Sequence, residues 1–113
     1  MTRTALALLL AATPALSDPV ITLAPTQTLD WQTTPEGGAF AALSGDRWTE
    51  PYFAMVRLPA GTVSPPHVKS AAMYGVMIEG EMTHTALGQD SSTIIGPGGY
   101  YEVPAHLPHI SSC

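Results

Sequence analysis

Glycine and proline set the grain of this chain. Ten glycines and eleven prolines are spread over 113 residues. After the first seventeen residues, no stretch of ten or more keeps a helical period. What lies between the breakers is short and β-prone. Segments 20–23, 39–43, 52–58, 73–79, 82–87, 93–95, 100–103 and 109–113 read as strands, and 29–32 reads as a short edge strand. In 73–79, strict alternation puts Met73, Gly75, Met77 and Glu79 on one face and Tyr74, Val76 and Ile78 on the other. Segment 63–68 is extended but carries Pro65-Pro66, which confines it to an edge or a rim. Short strands at regular turn signals predict an all-β sandwich or barrel.

The first seventeen residues are of another kind. Arg3 precedes the apolar run ALALLLAA, and Ala15-Leu16-Ser17 follows the Thr13-Pro14 break. This order is that of a secretory signal peptide, and the run is too short to span a membrane. The expected organisation is a signal peptide at 1–17 and one β domain at 18–113, in the periplasm or outside the cell, with no membrane contact once the leader is removed. Loss of Arg3 leaves Arg47, Arg57 and Lys69 against nine acidic residues, so the formal charge moves from −5 to −6. Three scattered cations make no track for a phosphate backbone, which excludes nucleic acid as a main partner. The single cysteine, Cys113, is the last residue and suggests an intermolecular bridge, a ligand, or a chain that stops early.

Two stretches carry chemistry. Residues 58–80, LPAGTVSPPHVKSAAMYGVMIEG, contain His67, and residues 98–109, GGYYEVPAHLPH, contain His106 and His109. Their spacing resembles the two motifs of the cupin superfamily. In the first, Gly61 is followed after five residues by His67, Lys69 stands at the second histidine position, Met73 at the glutamate position, and Gly80 closes the motif. In the second, Gly98 is followed after five residues by Pro104, His106 stands at a glycine position, His109 at the histidine, and Cys113 at the asparagine. The phrases PPH, MYGVMIEG and YYEVPAHLPHISS are similar to exported single-domain cupins and to the cupin domain attached to certain anti-sigma factors.

The resemblance implies an all-β, cupin-like jelly-roll β-barrel, with the end four residues after His109 read either as a barrel trimmed at its C-terminus or as a fragment of a longer product. It also implies a degenerate metal site in which only His67 and His109 remain of four ligands. Lys69 is then either a ligand-binding cation or a rim residue in solvent. Met73 and Met77 read first as barrel filling. With Cys113 they are also the soft donors that could complete the two histidines for copper. His106 reads as a surface residue at a tight turn, with a rim ligand as its alternative. His84 shares a face with Met82; solvent is its default and the cavity its alternative. Tyr74, Tyr100, Tyr101 and Trp48 read as packing residues.

No Gly-x-Ser-x-Gly turn, phosphate-binding glycine loop or EF-hand pattern is present. The expected function is an exported binding module for a small molecule or for one transition-metal ion: copper, zinc, iron or manganese. Its rivals are a metal-dependent oxygenase or isomerase and a metal-free sensor or interaction domain. A homodimer is expected, because a short C-terminus would leave a strand edge open.

Overall fold

The computed structural model describes Thr13 and residues 18–113. Apart from Thr13, the expected signal peptide lies outside the described residues. Seven strands follow a single turn of 3-10 helix at Thr26–Thr28: β1 (Trp31–Thr33), β2 (Ala39–Ser44), β3 (Phe53–Arg57), β4 (Met73–Val76), β5 (Thr83–Ala86), β6 (Tyr100–Val103) and β7 (His109–Ser112). That one turn is the only helix among the described residues, as the glycine and proline spacing requires. Two segments expected to be strands are not. Residues 20–23 run exposed without a partner strand, and 93–95 contributes one isolated bridge, Ile95 to Met82.

Every pairing is antiparallel. β1, β2 and β3 form a meander, with a bulge between Ala42 and Ser44 where β2 meets β3. β4 pairs with β6, and β5 with β7. The β5–β7 pair is widened on both sides: Ile95 bridges Met82 beside β5, while Val63 and His67 bridge Ser112 and His109 beside β7. The proline-bearing segment therefore lies at the sheet's rim, held by isolated bridges, because Pro65 and Pro66 have no N–H to give to a ladder.

Burial on the β4–β6 pair follows the expected two-residue period. Met73, Gly75 and Tyr101 are half-buried and Val103 is buried, while Tyr74, Val76, Tyr100 and Glu102 are exposed. The register places Gly75 opposite Tyr101. A Cβ at position 75 would collide with the Tyr101 ring and hydroxyl, so glycine is what lets that ring lie across the inner face. Three of the four aromatics expected to pack do not: Tyr74, Tyr100 and Trp48 stay exposed, and only Tyr101 turns inward. Among the described residues the buried side chains are few: Ala41 and Val103 are the apolar ones, and His109, at 1 % exposure, is the polar one.

Candidate functional site

His109 opens β7, and the cross-strand bridge sets His67 directly beside it. The two ring centroids are 4.2 Å apart, with the planes inclined by 52°. The expected meeting of the two motif histidines thus occurs on one face of one sheet.

Both rings are held by the same local device. His67 Nδ1 donates to the Pro65 carbonyl at 2.9 Å, and His109 Nδ1 donates to the Leu107 carbonyl at 2.8 Å. A carbonyl can only accept, so each Nδ1 carries the proton and each Nε2 keeps its lone pair. In Pro65-Pro66-His67 and in Leu107-Pro108-His109 a proline separates the accepting carbonyl from the histidine. Its fixed φ sets where that carbonyl points.

A third histidine joins them. His84 is on β5 opposite Ser111, and its ring centroid is 6.0 Å from that of His109. On the other side, Tyr101 packs against it at 4.4 Å. Its Nδ1 is 2.8 Å from Ser111 Oγ. The Ser111 N–H donates to Ser64 Oγ at 2.9 Å, and Ser64 Oγ lies 3.2 Å from His67 Nδ1. Solvent, the default expected of His84 from sequence, is therefore corrected: β7 pairing turns the ring into the cluster. Burial lowers its pKa from the ordinary imidazole value, and the neighbouring His109 and His67 lower it further.

The Nε2 atoms of His84 and His109 are both buried without a hydrogen-bond partner. Buried polar atoms are normally paired, so two orphaned imidazole nitrogens on neighbouring rings mark a place that a further partner fits. The rings are neighbours rather than a finished coordination shell. Among the described residues, no three His, Cys, Asp or Glu side chains stand in metal-holding geometry, so His67, His109 and Cys113 do not form a ready-made set either.

The other candidates take other places. Lys69 is exposed, and its carbonyl accepts the His106 N–H at 2.8 Å. His106 is exposed, with φ of 62° at the position where the motif has glycine. Met73 and Met77 are half-buried on the inner face of the β4 segment. Cys113 is tied by its backbone to Gly61 and Thr62 and lines a cleft of about 180 Å³ with Glu81, Met82, Thr83, Ile94 and Ser112. Burial raises its thiol pKa, which disfavours the thiolate a metal needs. A larger cavity of about 660 Å³ lies on the β1–β2–β3 sheet rather than at the histidines. There the Arg47 guanidinium covers the Phe40 and Trp48 rings, at 3.9 and 4.4 Å from their centroids.

The motif glycines Gly61, Gly80 and Gly98 all adopt the left-handed backbone, with φ of 80°, 76° and 81°. The family described as ChrR Cupin-like domain matches residues 21–103. The chain belongs to this cupin family. No curated protein matches the chain. The antiparallel sheets are those of a cupin jelly roll, and the three histidines lie on three neighbouring extended segments of that cupin sheet.

Proposed function

We propose that this cupin domain is an exported binding module that holds one transition-metal ion between His67 and His109 and leaves room for a small molecule. One observation carries the reading: the two rings pack 4.2 Å apart with both Nδ1 protons given to backbone carbonyls, which leaves both Nε2 atoms free to ligate. Imidazole suits copper, zinc and iron, whereas calcium and magnesium want oxygen ligands. The order of charge, apolar run and small residues at 1–17 supports export.

Elemental analysis of protein purified without a histidine tag, after growth in copper, zinc, iron and manganese, tests the metal. Wild type should carry close to one ion per chain, and His67→Ala and His109→Ala should each carry none. Full occupancy in either variant, or a wild type without metal, overturns the reading. The second outcome moves the weight to a metal-free module, the reading that the lack of three gathered donors among the described residues favours.

A further inference from the structure

We propose that His84 is the third imidazole of this centre, making it an all-histidine, carboxylate-free set built on β5, β7 and the rim segment. This inference rests on the metal reading above and goes further, because His84 belongs to neither sequence motif. In the first motif, Lys69 and Met73 stand where a histidine and a glutamate would be, and the structure leaves Lys69 exposed. The vacancy in the ligand set is met from the next strand.

Three features single out His84. Its Nε2 is buried and unpartnered, as is that of His109. Its Nδ1 is engaged by Ser111 Oγ, and in the tautomer that donates to this hydroxyl its ε nitrogen carries the lone pair, as in His67 and His109. Ser64 and Ser111 link the His67 and His84 rings through hydrogen bonds, and the Leu107 carbonyl holds His109, so each ring has an outer partner of the kind that orients metal-bound histidine. The register sets the neighbours: Ala86 is the residue opposite His109 on β5, and His84 lies two residues back on the same face.

An ion on three neutral imidazoles keeps its full positive charge. The open position of such a site therefore favours a small anion with an oxygen or nitrogen donor. Since no three donors are yet gathered, binding must draw the His84 ring toward His109 from the present 6.0 Å.

Nitrogen-15 NMR of the imidazoles in the intact protein, titrated with zinc, reads the ligands directly. The ε nitrogens of His67, His84 and His109 should all move, and His106 should stay as the internal reference. Movement of His67 and His109 alone overturns the inference and leaves the two-histidine reading standing. Movement of none overturns both. The variant His84→Phe keeps a ring against Tyr101 but has no nitrogen, and circular dichroism checks its fold. Its zinc affinity should fall by more than about 100-fold, beyond the 10–100-fold range of outer-partner changes. A folded His84→Phe protein with wild-type affinity overturns the inference. Azide added to the cobalt-loaded wild type should shift the visible spectrum, and an unchanged spectrum overturns the open anion position.

Discussion

His106 shows how one residue can match a motif in shape while departing from it in identity. It stands at a glycine position and keeps the glycine backbone, with φ of 62°. A side chain in that region costs about 1–2 kcal/mol through the clash of Cβ with the next carbonyl. The turn survives because its N–H is bonded to the Lys69 carbonyl at 2.8 Å and the imidazole itself is in solvent. His106→Gly should therefore stabilise the domain by about 0.5–1 kcal/mol, the strain relief exceeding the entropic cost of glycine. Thermal unfolding should shift upward by about 2–6 °C, with metal content unchanged. A midpoint at or below wild type would show that the turn bears no strain.

At the scale of the elements, the β4–β6 pair sets the depth of the site. Met73 faces Val103 and Gly75 faces Tyr101, so the inner face alternates between filled and open. The open position receives the Tyr101 ring, whose other contact is His84 at 4.4 Å. Gly75 thus acts on His84 through Tyr101, across two strand pairs. Gly75→Ala should push the phenol aside and cost about 1–3 kcal/mol, as overpacking does. Chemical unfolding reads the loss, and near-ultraviolet circular dichroism reads the moved tyrosine. An unaltered midpoint together with an unaltered spectrum would mean that Tyr101 has another place to go. The two X-Pro-His segments show the complementary economy, in which a rigid residue before each histidine fixes its hydrogen-bond acceptor.

Across the whole molecule, the outer face of the same pair is apolar and bare. Tyr74, Val76 and Tyr100 are 62, 63 and 57 % exposed and form one continuous face by the strand period and the register, with Ile78, 61 % exposed, just past the end of β4. Glu102 is the sole charge among them, and it accepts the Tyr100 hydroxyl at 3.2 Å. Contiguous apolar surface of this kind marks association. We propose a second copy as its partner, since a two-fold contact would set the same aromatic residues against each other. Light scattering at micromolar concentration should report a homodimer, and Val76→Lys, a change on the outer face alone, should give a monomer with the His67–His109 pair intact. A monomeric wild type would reject this arrangement.

The sequence by itself determined what depends on neighbours along the chain. Glycine and proline placed the turns, and the two-residue period sorted Met73, Gly75 and Met77 from Tyr74, Val76 and Ile78. Motif spacing selected His67 and His109, which the structure brings together. Segments 20–23 and 93–95 show where local propensity ends: both are β-prone, yet neither gains a strand partner beyond the Ile95 bridge. His84 belongs to the other class. Its alternation with Met82 told which residues share its face, not which way that face points. Only the pairing of β5 with β7 decided this, by placing His84 opposite Ser111, 27 residues away. The same holds for Tyr101, turned inward while Tyr74 and Tyr100 were left outside. A strand's period is written in its own residues, whereas its inner face is chosen by the strands that pair with it, and that choice is made only in the folded chain.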